Sequence, residues 1–195
     1  MAVKPPTKYK ISFYAKLKNT LKSNFDEYWH RLTYWHRLTF SISGTRGANK
    51  LRTYRSFKTT IEHESYLNLS CPERRKCLAQ FRTSAHRLKI ETDRFGGRNK
   101  YIPPELRTCE VCSLNKTEDE YHFLIECPQY SAQRTPLFQQ VLEHNNFFNT
   151  YTGRQKFFWL LTCDNLNIQN QLAVFLVASF SIRNNAPHHQ TSRQI

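Results

Sequence analysis

Hydrophobic positions recur at helical rather than strand spacing over most of this chain. In residues 50–61, Leu51, Tyr54, Phe57 and Ile61 fall three, three and four residues apart, as on one face of an amphipathic helix. Residues 64–69 read as a further short helical turn. The clearest helix is expected over residues 72–91, with Ser70 as its cap and Pro72 in the first turn, where a missing N–H is harmless. Leu78, Phe81, Ala85 and Leu88 would form its buried stripe. Arg75, Arg82, His86 and Lys89 would form a basic stripe about 90° away. Three more helices are expected over 129–144, 153–161 and 165–182. The last carries Ile168, Leu172, Phe175, Leu176 and Phe180 and should be the core helix of the rear half.

Breakers divide these elements. SISGTRGAN at 41–49 reads as a linker, and DRFGGRNKYIPPE at 93–105 as a loop set by its paired glycines and prolines. Ahead of the linker, YWHRLT occurs at 28–33 and again at 34–39. A six-residue shift turns a helix by about 600°, so Trp29 and Trp35 would face different ways. The pair reads as a local duplication. Residues 1–49 are expected to form a basic, partly disordered arm, 50–183 a helical domain, and 184–195 a disordered tail. With 5 glycines in 195 residues, a turn-rich all-β fold is disfavoured.

Charge changes the picture. The net charge is +14, yet residues 1–58 hold 13 Lys/Arg against 2 acids, whereas residues 109–195 hold 6 against 7. A basic front and a neutral rear suit an electrostatic partner such as a nucleic acid or an anionic surface, or else simple solubility. The longest apolar run, 172–178, is 7 residues, far short of the roughly 20 that span a bilayer. No secretory leader is visible, and 6 cysteines in this length do not make a disulfide scaffold. The expectation is an intracellular protein, nuclear or cytoplasmic, with reduced thiols available for metal and no membrane partner.

Those thiols carry the clearest chemistry. CEVCSLNKTEDEYHFLIEC gives C-x2-C-x9-H-x4-C, so Cys109, Cys112, His122 and Cys127 are candidate ligands of one structural zinc ion in a knuckle over 108–128. The competing reading makes the cysteines ordinary buried thiols and His122 a surface histidine. Thr117 and Glu120 look like a capping box opening a helix near residue 118. The five-residue step from His122 to Cys127 matches no continuous α-helical face, so that helix should finish near Glu126 and let Cys127 swing back. Four N/S ligands close the shell, which favours a structural over a catalytic ion. Cys71, Cys77 and Cys163 have no partner at ligand spacing.

The stretch from Ser84 to Tyr130, with its S-A-H-R-L, C-x2-C, T-E-D-E-Y-H-F-L and closing E-C-P, resembles the zinc-binding region of non-LTR retrotransposon reverse transcriptases. The resemblance covers roughly a quarter of the chain well. It implies a metal-dependent knuckle at the C-terminal end of a retroelement polyprotein, involved in binding template nucleic acid. Nothing here resembles the Y-x-D-D signature of a polymerase or the carboxylate sets of an endonuclease or RNase H, so the chain looks like a detached C-terminal piece or a gene derived from one.

The expected fold is mainly α: an irregular assembly of about six to eight helices with one small structural zinc knuckle. The expected function is non-catalytic zinc and nucleic-acid binding, with RNA or single-stranded DNA bound without sequence specificity. Arg82, Arg87, Lys89, Arg94, Arg98, Lys100 and Arg107 would contact phosphates, and Phe95 and Tyr101 would stack on unpaired bases. The alternative is a zinc-stabilised structural or interaction module, or a retroelement remnant without selected activity. In that case the aromatic rear helices (Phe147, Phe148, Phe157, Phe158, Trp159) would meet a protein partner.

Overall fold

The computed structural model describes residues 19–20, 23, 51–58, 62–94 and 101–186. The YWHRLT pair, the 41–49 linker, Phe95, Arg98, Lys100 and the tail beyond Ala186 lie outside the described residues. The chain divides into two compact units, Met1–Ala48 with Lys58–Glu62, and Asn49–Phe57 with His63–Ile195. Within the first unit, Lys58 Nζ donates a hydrogen bond to the Glu62 carbonyl at 3.3 Å.

The second unit is mainly helical, and among the described residues it contains no strand. Its α-helices are α1 (Arg52–Phe57), α2 (Pro72–Arg82), α3 (Lys89–Thr92), α4 (Ser131–His144), α5 (Gly153–Thr162) and α6 (Leu166–Asn185). Short 3-10 turns at Ser65–Asn68, Pro104–Leu106, Pro128–Tyr130 and Phe148–Thr150 join them. Among the described residues no helix is long and apolar enough to cross a membrane.

The long helix expected over 72–91 is two helices. Cys71 rather than Ser70 takes the cap position, without a side-chain cap bond. The helix stops at Arg82 because Ser84 adopts a left-handed backbone, φ 55°, that no α-helix can continue. The break leaves Leu78, Phe81 and Leu88 buried as expected but turns Ala85 to solvent. It also sends Ser84 and His86 inward, where Ser84 Oγ donates to Glu120 Oε1 at 2.8 Å and His86 Nε2 meets the same oxygen at 2.9 Å. A helix continued through residue 86 would have no such geometry.

α6 packs against α4 and α2 and forms the spine of the unit. Asn165 caps it by accepting from the backbone N–H groups of Asn167 and Ile168. Gln169 then donates to the carbonyls of Leu160 and Cys163, satisfying the end of α5. α5 opens with a capping box in which Thr152 and Gln155 satisfy each other's backbone N–H. Phe123 is the hub of the core. Its ring lies 4.6 Å from Tyr130, 4.7 Å from Phe180 and 6.0 Å from both Phe81 and Phe175, centroid to centroid. Burying one such ring contributes about 2–3 kcal/mol.

Arg82 is an interior joint rather than a surface cation. It pairs with Glu64 at 2.6 Å, donates to the Leu161 carbonyl, and lies over the rings of Phe57 and Tyr66. One guanidinium thereby ties α1, the Ser65–Asn68 turn and α5 to α2.

Candidate metal centre

Cys109 and Cys112 sit on a narrow hairpin. Thr108 and Thr117 form an antiparallel bridge, and Cys109 N donates to the Lys116 carbonyl at 2.8 Å. The turn reverses at Asn115, whose φ of 52° suits asparagine better than most residues. This places the two thiols of the C-x2-C on the inner side of one short turn.

The second pair comes from an unusual helical turn. His122–Glu126 is a π-turn, closed by a hydrogen bond from Cys127 N to the His122 carbonyl at 2.7 Å. The i→i+5 step of a π-turn brings residues five apart onto one face. The spacing that no α-helix accommodates is thus met by a wider turn. The helix does end at Glu126, as expected, and Pro128 holds Cys127 in an extended backbone.

The opening of this turn differs from expectation. Asp119, not Thr117, supplies the cap, with its Oδ1 accepting from His122 N at 2.7 Å. Thr117 Oγ1 donates instead to the Pro104 carbonyl. Glu120 Oε1 meets Ser84 Oγ and His86 Nε2. The acidic run is therefore structural: Glu118 is also buried, with its carboxylate gripped by both Nε and Nη2 of Arg183 at 2.6 and 2.7 Å and by the Lys89 N–H at 2.7 Å.

The ligand atoms of Cys109, Cys112, His122 and Cys127 all lie within 4.8 Å of one another. Cys112 Sγ is 3.4 Å from His122 Nε2. A tetrahedral zinc with ordinary Zn–S and Zn–N bonds requires about 3.6 Å between such neighbours. Three soft thiolates and one imidazole are a donor set compatible with zinc. Cys109, Cys127 and His122 are buried and Cys112 is half-buried, so the cluster is screened from bulk water on most sides.

In the metal-free protein this crowding opposes thiolate formation. Its hydrogen bond with Cys127, together with burial, pushes the Cys109 thiol up to about 12, and burial raises Cys112. A bound dication reverses that preference by stabilising the thiolates directly. Burial opposes a charge on His122, but Cys109 and Glu126 outweigh it and hold the imidazole above its usual range. Burial would raise Glu126, yet Lys116 prevails and lowers it.

The residues expected to contact nucleic acid are scattered in their roles. Arg82 and Arg107 are buried and committed to internal carbonyls; Arg107 donates to those of Ile90 and Ile102 and covers the Tyr101 ring at 5.3 Å. Lys89 pairs with Glu110 and Asp93, and Arg94 with Glu91 at 2.8 Å. Arg87 is exposed. Burial of Arg82 on a helix face adjoining the apolar stripe is what wheel position alone does not reveal. Among the rear aromatics, Phe148 and Phe157 are buried, Phe158 and Trp159 are half-buried, and Phe147 is 71% exposed.

Arg134 was not singled out by sequence. It reaches from α4 to donate to the carbonyls of Leu124 and Cys127, both at 2.7 Å. It thereby satisfies the end of the π-turn that carries two of the four ligands. Its position between a glutamine and a threonine offers no sequence signal. No protein family, curated protein or solved structure matches this chain.

Proposed function

We propose that this chain is a non-catalytic module in which one structural zinc ion organises a helical unit that binds nucleic acid without sequence specificity. The observation that carries the zinc reading is the convergence of Cys109, Cys112, His122 and Cys127 from a hairpin and a π-turn onto one point. Zinc would serve as a cross-link between the hairpin and the π-turn. Four protein donors leave no open position for water, which supports a structural ion rather than a hydrolytic one.

The nucleic-acid reading is supported by charge. The first 58 residues carry 13 Lys/Arg against 2 acids, while several cations of the helical unit are committed to internal partners. Phosphate contacts are therefore assigned mainly to the leading segment and to exposed Arg87, together with Arg98 and Lys100 of the 93–105 sequence. The motif order supports kinship with the zinc-binding region of non-LTR retrotransposon reverse transcriptases, and RNA or single-stranded DNA is the ligand expected on that basis. A second reading, an interaction module with a protein partner, keeps the exposed Phe147 as its support.

The test measures binding of a fluorescent single-stranded oligonucleotide at two salt concentrations. Each phosphate contact steepens the log–log salt slope by roughly 0.7 to 0.9. Replacing Lys4, Lys8, Lys10, Lys16, Lys18 and Lys22 by Gln is expected to flatten the slope more than the Arg94/Arg98/Lys100→Ala triple variant. Binding that is undetectable or indifferent to salt would sink the nucleic-acid reading. For the metal, elemental analysis should find about one zinc per chain, lost in Cys112→Ser.

A further inference from the structure

Glu126 is not one of the four ligands, yet it sits between the two halves of the cluster. Lys116, on the returning arm of the hairpin that carries Cys109 and Cys112, donates Nζ to Glu126 Oε1 at 2.8 Å. On the other side, Glu126 Oε2 lies 3.5 Å from His122 Nδ1. His122 Nδ1 is buried and makes no hydrogen bond, whereas Nε2 is aimed at Cys112 Sγ. An imidazole that ligates through Nε2 keeps its proton on Nδ1, and that buried N–H needs an acceptor. The Glu126 carboxylate is the acceptor within reach, and a shortening of a few tenths of an ångström makes the bond.

We propose that Glu126 is the outer-sphere clamp of the metal centre. Its Oε2 accepts the Nδ1–H of His122, fixing the tautomer and ring plane that present Nε2 to the ion. Its Oε1, through Lys116, draws the C-x2-C hairpin towards the π-turn. The two oxygens of one carboxylate thus serve the two halves of the site. This rests on the zinc reading above. An exposed Lys–Glu pair alone contributes little, so a mere surface ion pair would leave metal affinity unchanged. An outer-sphere carboxylate on a ligating histidine would not.

The experiment is zinc competition against a chromogenic chelator at fixed pH, with the full chain, Glu126→Leu, Glu126→Gln and Lys116→Met. Glu126→Leu is expected to weaken zinc binding roughly 10- to 100-fold, the range for loss of such a partner. Glu126→Gln, which keeps a neutral acceptor, should fall between it and the parent, and Lys116→Met should lose less than Glu126→Leu. Nitrogen-15 spectra of the zinc-loaded imidazole should show His122 protonated at Nδ1 in the parent and exchange-broadened in Glu126→Leu. Arg74→Ala, which removes a bond to Asn170, serves as a stability control far along the chain and should keep the parent's affinity. The proposal is overturned if Glu126→Leu binds zinc as tightly as the parent, or if Arg74→Ala weakens it equally. A parent that takes up no zinc would instead overturn the zinc reading itself, a distinguishable failure.

Discussion

At the scale of single residues, the thiols of the cluster behave as a store of protons. Cys109 is pushed up to about 12 and Cys112 is raised as well, so at neutral pH the metal-free site is protonated at both. Zinc uptake must therefore release protons, and affinity should fall as the solution is acidified. A weakly buffered titration with a pH indicator is expected to register at least these two protons per zinc bound. The metal-free protein carries the opposite dependence. A thiol raised from 9.0 to about 12 on folding contributes stability that is present below pH 9 and lost as pH rises towards 12. Urea melts of chelator-treated protein should show that alkaline loss, and melts of zinc-loaded protein should lack it.

At the scale of elements, the π-turn is the part that makes the site. Its wider winding leaves the carbonyls of Leu124 and Cys127 for Arg134, whose guanidinium is buried with them. Arg134→Met keeps the bulk but orphans two buried carbonyls, and the expected cost is about 2–4 kcal/mol in urea denaturation of the zinc-loaded protein. Because the turn holds His122 and Cys127, the same variant should also lower zinc affinity. An unchanged melt would mean that water replaces the guanidinium. The other local device is the break after α2. Ser84→Ala removes the hydroxyl that donates to Glu120, and the loss of a hydrogen bond to a buried carboxylate is expected to cost about 1.5–3 kcal/mol by the same measurement.

At the scale of the whole helical unit, the knuckle is docked by buried charge as well as by apolar packing. Glu118 reaches Arg183 on α6 and the start of α3, Glu120 reaches the segment after α2, and Phe123 fills the core beside them. Arg183→Met strands the Glu118 carboxylate, with an expected penalty of about 3 kcal/mol, at the lower end for a broken buried pair. Pairing it with Glu118→Gln should recover part of that loss in a double-mutant cycle. The Cys/His cluster is also tied to this network through His122, since Glu118 and Glu120 lie just before it in the chain. Chelation of zinc is therefore expected to lower the melting temperature of the full helical unit rather than to loosen the knuckle alone, as calorimetry would show.

The gathering of the four Cys/His residues, the helical class and the rear helices were legible in the sequence because each rests on local rules: Cys/His spacing, periodicity of apolar residues, and capping. Residues 153–162 and 166–185 form helices within a few positions of where periodicity puts them. The misplaced features share a different origin. The 72–91 helix breaks because Ser84 and His86 find a carboxylate 34 to 36 residues away, and no local pattern encodes that partner. Arg82 and Arg107 look like phosphate contacts until Glu64 and the carbonyls of Leu161, Ile90 and Ile102 claim them. The His122 to Cys127 step, awkward for an α-helix, is resolved by a π-turn that Arg134 supports from α4. Sequence thus determined which residues gather at the cluster. Tertiary structure decided which charges are committed inside the fold, because a buried charge must find its counterpart wherever the chain happens to bring one.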